Sequence, residues 1–562
     1  MKVSDYVVDF LFQVGIDHVF TVPGGGCIHL IDSLGKSPIN VIPTLHEQGA
    51  AIAAEGYSQV AGLGALVVTT GPGGTNAITG VASAWLDSVP LIVIGGQVQL
   101  HDTIGYSGRR QNGFQELNNT ALYAPITKYC IQVKDPHWIP EVMQTAYDKA
   151  LEGRPGPVYI EIPLDVQAAQ IGVKPDVFKY LTEPQTIDVC EVVKAFNKSS
   201  KPALLLGNGV RKCGKSMIQA LISMLGIPTM VTWRALDLVP ETNVNYVGRP
   251  GIIGDRFANK IQQEADFLLC IGARLDHGQT AYNPLNFAPK AKKFIVDIDP
   301  TELSKFKGTN SELICCDSED FIGSLLEYEQ SLALSKFGWA NSILLTVDDF
   351  REGGYNMYSF INLLSELIQG NKYNIVPGSS GAASEITLQA LRVRDGLRVF
   401  NSPGLGAMGF GIPASIGAAF ANLQKTICIE GDGSFFMNIQ ELELIKRYNL
   451  DIKFFVINNN GYGSIRKTQK NHFSQKVACD PESGLTLPDI EKTVKAFGIE
   501  NYLQIKGHLN GIKIKNFLET PGPGVCELIF DEEIEAIPRV ISKKNADGSF
   551  SSMDMGEMYP YE

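Results

Sequence analysis

The chain has 562 residues, a formal net charge of −12 and 44% apolar residues. At about 150 residues per domain, this length predicts three to four domains, and the apolar content is sufficient for full hydrophobic cores. The negative charge disfavours nucleic acid or an anionic membrane as the main partner, because both attract clustered lysine and arginine.

The amino terminus and the cysteines indicate a cytoplasmic protein. Lys2, Asp5 and Asp9 interrupt the first apolar residues, which is typical of an amphipathic helix and not of a signal peptide. No apolar run approaches the roughly 20 residues that a membrane span requires. The ten cysteines are scattered and include no Cys-x-x-Cys pair, so a reducing compartment is expected.

Strand-like and helical patterns alternate through residues 1–170. The apolar run at 65–69 leads into the turn Gly71-Pro72-Gly73-Gly74, and the run at 91–94 ends in Gly95-Gly96. Strands that alternate with helices in this way indicate a parallel sheet. Residues 171–186 have little periodicity and contain two prolines, so they are predicted to be a linker.

The alternation returns further along the chain. Residues 187–345 contain three apolar strand-like runs that end at Gly207, Gly272 and Asp299. The sequence therefore predicts an α/β protein with three doubly wound parallel-sheet domains. After the middle domain, three segments are predicted: a linker at 346–358, a third α/β domain at 359–537 and an aperiodic tail at 538–562.

The third domain contains the most informative spacing. Gly431-Asp432-Gly433-Ser434 follows a strand-like run, and Asn459 follows the next one, twenty-seven residues beyond Asp432. Because carboxyl ends of parallel strands meet at one edge of a sheet, a carboxylate and an amide oxygen there can share one Mg²⁺, which can also hold a diphosphate. Gly433 and Ser434 are predicted to begin one helix that continues through Gln440 to Ile445, with its free N–H groups towards the same anion.

The segment from Asp432 to Asn459 resembles the thiamine-diphosphate motif of the acetohydroxyacid synthase and pyruvate oxidase family. Four other segments resemble that family in its order along the chain: Leu45 to Ala50, Thr70 to Asn76, Gly153 to Val158 and Gly404 to Gly411. The resemblance implies three α/β domains, with thiamine diphosphate and Mg²⁺ as cofactors.

The resemblance also assigns roles to individual residues. Glu47 matches the family's catalytic glutamate, which exchanges a proton with the pyrimidine ring of the cofactor. Met408 matches an apolar wedge beneath the bent cofactor, and Gly406 would offer its carbonyl to the cofactor amine. The implied metal ligands are Asp432, Asn459 and the carbonyl of Gly461. The other implied cofactor-binding residues are Gly73, Asn76, Gly431, Gly433, Ser434, Tyr462 and Gly463.

Taken singly, three of these residues also fit ordinary structural roles. Glu47 fits a helix amino terminus, Met408 fits a hydrophobic core, and Gly461 fits a simple turn. The family context favours the cofactor roles. Since Glu47 and Asp432 belong to different domains and come from different subunits in the family, a homodimer or a dimer of dimers is expected.

The substrate side is less closely matched. Gly113-Phe114-Gln115-Glu116 resembles the substrate segment of acetohydroxyacid synthases, so Phe114 and Gln115 are predicted to border the pocket, with structural roles as the alternative. Residues 106–110 lack the His-His pair of simple pyruvate decarboxylases, which favours carboligation over aldehyde release. Leu164 and Thr468 stand where acetohydroxyacid synthases have a lysine and an acceptor-selecting tryptophan, so the acceptor is expected to differ.

These residues predict an acetolactate synthase-like carboligase that transfers the acyl group of a 2-ketoacid, with pyruvate the first candidate, to a carbonyl acceptor such as a keto sugar or small aldehyde. Four basic residues are candidates for an anionic acceptor, or else solvated surface charge: Arg109, Arg110, Arg466 and Lys467. The alternatives are a lyase, hydrolase or decarboxylase with the same cofactor, and a non-catalytic scaffold, which intact Glu47, Asp432 and Asn459 argue against.

Two features remain open from the sequence. The segments 207–211 and 272–276 resemble the FAD-binding segments of acetohydroxyacid synthases, but a lone Gly-x-Gly is a weak signal. FAD, ADP and an empty site are all compatible with it. The tail at 538–562 would fold over the active site by resemblance, or form a disordered terminus.

Overall fold

The structure is a computed structural model of the chain. It describes these residues: 1–105, 107–179, 183–332, 336–344, 354–531, 533–544, 547 and 550–560. Several predicted features fall partly outside the described residues: Tyr106 near the absent His-His pair, 180–182 of the first linker, 346–353 of the second, and Gly548 and Ser549 of the tail.

Strands occur throughout the described residues. In chain order they are β1 (His18–Thr21), β2 (Asn40–Pro43), β3 (Gly64–Val68), β4 (Leu91–Gln97), β5 (Tyr129–Gln132), β6 (Pro157–Pro163), β7 (Pro202–Leu206), β8 (Thr229–Val231), β9 (Phe267–Ile271), β10 (Lys292–Asp297), β11 (Ser311–Cys315), β12 (Tyr373–Pro377), β13 (Leu397–Val399), β14 (Thr426–Gly431), β15 (Ile452–Asn458), β16 (Tyr502–Lys506), β17 (Gly524–Ile529), β18 (Ser542–Lys544) and β19 (Phe550–Ser552).

Helices connect most of these strands. In chain order they are α1 (Val3–Gln13), α2 (Ile28–Gly35), α3 (Glu47–Ala61), α4 (Pro72–Leu86), α5 (Asn119–Tyr123), α6 (Ile139–Leu151), α7 (Leu164–Ala168), α8 (Cys190–Lys198), α9 (Gly214–Leu225), α10 (Arg256–Glu264), α11 (His277–Thr280), α12 (Pro300–Leu303), α13 (Ser318–Leu326), α14 (Asn341–Leu344), α15 (Met357–Leu367), α16 (Gly381–Ala390), α17 (Gly411–Asn422), α18 (Asp432–Phe435), α19 (Leu442–Arg447), α20 (Gly463–His472), α21 (Ile490–Ala496) and α22 (Gly511–Glu519). Among the described helices, none has the length and apolar character needed to cross a bilayer.

The chain forms two compact units. The first unit contains Met1–Leu181, Tyr373–Ala383 and Phe400–Glu532, and the second contains Thr182–Lys372, Ser384–Val399 and Glu533–Glu562. The predicted third domain, residues 359–537, therefore contributes to both units.

Two parallel arrays of strands form the first unit. In one, the strands lie in the order β2-β1-β3-β4-β6-β5. In the other, β12-β14-β15-β17-β16 repeat the order of β1-β3-β4-β6-β5. Every residue of β3, β4 and β6 is buried, as expected for parallel strands covered by helices on both faces.

The second unit has its own parallel sheet, in the order β11-β10-β9-β7-β8. The predicted fold class, three parallel-sheet α/β domains, is confirmed. The described part of the tail is folded within this unit. Arg256 of α10 donates to the carbonyls of Met558 (3.1 Å) and Pro560 (2.6 Å), and the side chains of Met555 and Met558 are buried.

Helices α3 and α17 cross at backbone contact in the first unit. A Cβ on Gly56 of α3 would lie 2.3 Å from the carbonyl oxygen of Ala414, and one on Gly417 of α17 would lie 1.9 Å from that of Ala53. Because the later residue of one helix meets the earlier residue of the other, the helices run antiparallel. Only glycine permits this approach, since the neighbouring atoms are backbone and cannot rotate away.

Replacement of Gly417 by alanine is therefore expected to destabilise the first unit, by about 1–3 kcal/mol as in other overpacked sites. The matched control is Gly35→Ala at the end of α2, where an added Cβ has nothing within 4 Å. Thermal and urea denaturation of both variants check the prediction. Equal stability of the two variants would contradict the close crossing.

Candidate active site

One group of predicted residues gathers at the amino-terminal ends of α3 and α4. Glu47 is the first residue of α3 and is 8% exposed. Asn76 Nδ2 donates to Glu47 Oε2 at 2.9 Å. Gly73, in the first turn of α4, packs against Thr69, because a Cβ there would lie 2.8 Å from its methyl group. We call this group the Glu47 end.

The predicted substrate segment lies against the same end. A Cβ on Gly71, next to the start of α4, would lie 2.0 Å from the carbonyl oxygen of Gln115. Gln115 has a φ of +61°, which is unfavourable for a residue with a side chain. Its neighbour Phe114 is 86% exposed. The structure therefore brings Glu47, Asn76 and Gln115 to one place, with a large apolar side chain exposed beside them.

A second group surrounds Asp432, which we call the Asp432 end. Strands β14 and β15 pair in parallel with Gly431 opposite Ile457, so Asp432 and Asn459 follow neighbouring strand ends as the spacing predicted. Asp432 is 2% exposed. Its Oδ1 accepts from Gly433 N (2.8 Å) and its Oδ2 from Gly461 N (2.9 Å).

The protonation of Asp432 reflects competing effects. Burial raises the pKa of this carboxyl to about 6, while hydrogen bonds from the N–H groups of Gly461 and Gly433 and the charge of Arg466 act in the opposite direction. A buried carboxylate of this kind favours a bound cation, because a cation offsets the cost of burying the charge.

The turn after β15 is built from glycines that allow close approach. Gly461 has a φ of +119°, and a Cβ there would lie 2.5 Å from the carbonyl oxygen of Cys479. A Cβ on Gly463 would lie 2.4 Å from Asn459 Nδ2. Buried Arg466 donates to the carbonyls of Asn459 (2.8 Å) and Asn460 (3.2 Å). Arg466 thus supports this turn and is not solvated surface charge.

Met408 belongs to the Asp432 end. A Cβ on Gly433 would lie 2.4 Å from the ring of Tyr462 and 3.5 Å from Met408 Cε, so these three residues meet. Gly406 has a φ of +65°, and a Cβ there would lie 3.7 Å from the carbonyl oxygen of Ser379. Ser379 Oγ is buried and has no hydrogen-bond partner within the described residues. It leaves a polar atom for a bound group beside residues 404–410, which we call the Met408 loop.

A buried network fixes the Met408 loop. Ser434 Oγ accepts from Gly409 N at 2.8 Å and donates to Glu430. Asn438 Nδ2 donates to the carbonyl of Gly409 at 2.7 Å. Burial raises the pKa of Glu430 to about 7. Sequence reasoning missed Glu430 and Asn438, although Glu430 directly precedes the Gly-Asp-Gly turn.

The single helix predicted from Gly433 to Ile445 is wrong. The structure divides this segment into α18, a 3-10 helix over Phe436–Glu441 and α19, with non-helical angles at Asn438 (φ −130°, ψ 34°). The bond from Asn438 to the Gly409 carbonyl accompanies the break. The N–H of Gly433, predicted to face an anion, is bonded to the side chain of Asp432.

Glu441 links the third predicted domain to the Glu47 end. Its carboxylate accepts from the N–H groups of Leu45 and His46, each at 3.1 Å. Burial raises the pKa of Glu441 to about 7, against those two backbone hydrogen bonds. The bonds anchor the residues that precede α3, and therefore the position of Glu47. No local pattern marks this role, because the partners lie nearly 400 residues away in sequence, at a separation of 396 for Leu45.

Helix α3 lies between Glu47 and the start of α17. Helix α17 begins at Gly411, directly after the Met408 loop, and runs antiparallel to α3, so its start lies near the end of α3. Glu47 lies at the start of α3, and the twelve helical steps from Glu47 to Gln59 span about 18 Å at 1.5 Å per step. Ser402, before the same loop, donates to Asp87 at the end of α4 (2.7 Å), whereas Asn76 lies near its start.

Comparison with known proteins gives the family. Three family models match the chain: thiamine pyrophosphate enzyme, N-terminal TPP binding domain, at residues 1–122; the central domain at 189–325; and the C-terminal TPP binding domain at 379–528. Acetolactate synthase isozyme 1 large subunit of Escherichia coli (strain K12) is 33% identical over 556 residues, covering 96% of this chain and 95% of that protein. The chain belongs to the acetolactate synthase family of thiamine pyrophosphate enzymes.

Other members of the acetolactate synthase family are similarly related. The probable acetolactate synthase large subunit of Methanocaldococcus jannaschii is 31% identical over 563 residues, with 96% of this chain and 93% of that protein covered. The acetolactate synthase large subunit of Lactococcus lactis subsp. lactis is 32% identical over 521 residues, with 89% and 87% covered. The predicted thiamine-diphosphate-dependent, acetolactate synthase-like enzyme is confirmed. The Glu47 end lies within the N-terminal match, and the Asp432 end within the C-terminal match.

Proposed function

We propose that this acetolactate synthase family member decarboxylates a 2-ketoacid, pyruvate first, and adds the resulting acyl group to a carbonyl acceptor. The observation that carries the proposal is the pair of ends described above. The Glu47 end offers a carboxylate held by an amide, and the Asp432 end offers buried oxygen atoms, closely packed glycines and an apolar side chain.

The Asp432 end fits Mg²⁺ and a diphosphate. Asp432, Asn459 and the Gly461 carbonyl are hard oxygen donors of the type that Mg²⁺ takes alongside phosphate oxygens. Gly433 and Gly463 leave the backbone open where a Cβ would collide with Tyr462 or Asn459. When bound, thiamine diphosphate supplies a nucleophilic carbon that adds to the ketoacid and, after loss of CO₂, delivers the acyl group to the acceptor.

Glu47 moves the proton that this chemistry requires. Asn76 holds Glu47 Oε2, which leaves Oε1 to carry a proton to and from the pyrimidine of the cofactor. Glu441 and the amino terminus of α3 orient this carboxyl. Met408 acts as the wedge that holds the cofactor bent, a positioning effect that lowers the entropic part of the barrier, and Gly406 offers its carbonyl to the cofactor amine.

Phe114 and Gln115 border the acceptor side of the proposed site. Thr468 lies on α20, and its hydroxyl donates to the carbonyl of Ser464 (2.9 Å). A bulky side chain in place of Thr468 would restrict the acceptor. A keto sugar or small aldehyde is therefore proposed as acceptor. The ten cysteines are all free, which supports the expected cytoplasmic location.

The proposal is tested with labelled pyruvate and three acceptors: a second pyruvate, propanal and fructose, with products identified by mass. The wild type is expected to form a carbon–carbon bond with at least one acceptor. Glu47→Gln should bind thiamine diphosphate and lose nearly all turnover, because an amide cannot exchange the proton. Glu141→Gln, an exposed acid on α6, is the matched control.

Two results would contradict this function. Acetaldehyde as the only product would favour a decarboxylase, and acyl transfer to water would favour a hydrolase. Failure to bind thiamine diphosphate would favour a non-catalytic scaffold.

We further propose a homodimer, alone or paired into a dimer of dimers, in which the Glu47 end of one chain meets the Asp432 end of its partner. The separation of about 18 Å between Glu47 and Gln59 along α3 supports this arrangement. Neither end alone offers both the proton-transferring carboxyl and the diphosphate-binding oxygens. The exposed Phe114 would be covered at the same interface.

Mixing two inactive variants tests the shared site. Glu47→Gln and Asp432→Ala should each be inactive, whereas co-expression of both should restore about a quarter of wild-type activity, since half of randomly paired dimers are mixed and each has one intact site of two. Co-expression of two differently tagged copies of Glu47→Gln is the control. Activity no higher than this control would contradict a site shared between subunits.

The second unit supports a nucleotide site, for which we propose FAD. Strands β7 and β9 are neighbours and are followed directly by Gly207 and Gly272, at the carboxyl edge where doubly wound sheets bind ligands. A Cβ on Gly207 would lie 2.0 Å from the Gly272 carbonyl oxygen, so these turns require glycine. A visible flavin spectrum in purified protein is expected. Extraction of ADP, or of no nucleotide, would contradict FAD.

A further inference from the structure

Glu116 has no role in the chemistry described so far, yet it is buried, at 4% exposed, beside two exposed residues of the proposed acceptor side. Its Oε1 accepts from Ile104 N, and its Oε2 accepts from Asn112 N (2.8 Å) and Gly113 N (3.1 Å). One carboxylate therefore joins both ends of the segment 104–113.

The backbone of Glu116 is tied to the same segment. The N–H of Glu116 donates to the Gly113 carbonyl at 3.2 Å, and Gln111 Nε2 donates to the carbonyl of Glu116 at 3.0 Å. Gly113 packs closely against Val98, because a Cβ on Gly113 would lie 2.9 Å from that side chain. Phe114 and Gln115 lie between two fixed points, Gly113 and Glu116.

This closure bears on the conformation of Gln115. A φ of +61° is unfavourable for a residue with a side chain, so Gln115 keeps it only where its surroundings require it. Its carbonyl lies against Gly71 at the start of α4, next to the Glu47 end. Hydrogen bonds from N–H groups to an ionised carboxylate are stronger than neutral ones, and Glu116 makes three of them.

We propose that Glu116 is a positioning residue for the acceptor: its carboxylate closes the segment 104–113 and holds Phe114 and Gln115 beside the Glu47 end in the conformation that receives the acceptor carbonyl. This inference rests on the proposed carboligase function and extends it to a residue that touches neither cofactor nor substrate. Glu116 acts on the second half of the reaction, so it affects the acceptor more than the 2-ketoacid donor.

Glu116→Gln tests the inference. The substitution keeps the size of the side chain but places an amide N–H₂ against backbone N–H groups. With pyruvate as donor and the fastest of the three acceptors above, the acceptor KM is expected to rise about tenfold, since small misplacements of reacting groups have effects of this order or larger. Thiamine diphosphate affinity, measured by quenching of intrinsic fluorescence, should stay within about twofold.

Limited trypsin digestion gives a second readout. Arg109 and Arg110 are exposed within the closed segment, so Glu116→Gln should be cleaved there faster than the wild type while the folded protein remains otherwise intact. Glu141→Gln, which removes a charge at an exposed site, is the control for both measurements. If Glu116→Gln does not fold, Gln111→Ala removes one bond from an exposed side chain and should raise the acceptor KM in the same direction by a smaller factor.

The outcomes separate this inference from the function on which it rests. A wild type that ligates none of the three acceptors contradicts the proposed function itself. The positioning role alone is overturned if the wild type forms a product with an acceptor but Glu116→Gln and Gln111→Ala leave the acceptor KM unchanged. It is likewise overturned if the two variants raise the donor KM and the acceptor KM equally. Unchanged trypsin cleavage in Glu116→Gln overturns the closure of the segment.

Discussion

The antiparallel contact of α3 with α17 is the constraint on which the rest of the site depends. Gly56 and Gly417 bring the two backbones together, and this fixes which end of α3 lies near the Met408 loop. Glu47 then has to lie at the other end, about 18 Å away. The same packing that stabilises the first unit therefore separates the two halves of the chemistry, and the proposed dimer is its consequence.

Buried carboxylates that accept backbone N–H groups recur through the first unit. Asp432 holds the turn at Gly461, Glu441 holds the residues before α3, and Glu116 holds the segment before Phe114. In each case a charge-assisted hydrogen bond positions a segment without secondary structure of its own. Such segments carry the reactive groups in α/β folds, because the carboxyl ends of parallel strands place them at one edge. The acids that position them are as important to the site as the groups that would touch a cofactor.

The chemistry of each end follows from its local environment. At the Asp432 end, oxygen donors and closely packed glycines surround the place proposed for a cation and a phosphate. At the Glu47 end, an amide holds one carboxylate oxygen and leaves the other for the proposed proton transfer. The similarity to acetolactate synthases extends along nearly the whole chain, which supports the proposed activation of a 2-ketoacid donor.

The sequence by itself determined the fold class and the adjacency of Asp432 and Asn459, because these follow from short-range patterns: alternating strands and helices, and polar residues at neighbouring strand ends. Its resemblance to a known family implied the cofactor, and contiguous motifs within that resemblance singled out Glu47, Asn76 and Met408. Only the tertiary structure decided that Arg466 supports a turn, that the helix after Ser434 breaks at Asn438, and that Glu441 and Glu116 hold backbone N–H groups. The bond between Leu45 and Glu441 joins partners far apart in sequence. The others depend on how individual side chains and helices pack at van der Waals distance, which no local pattern encodes.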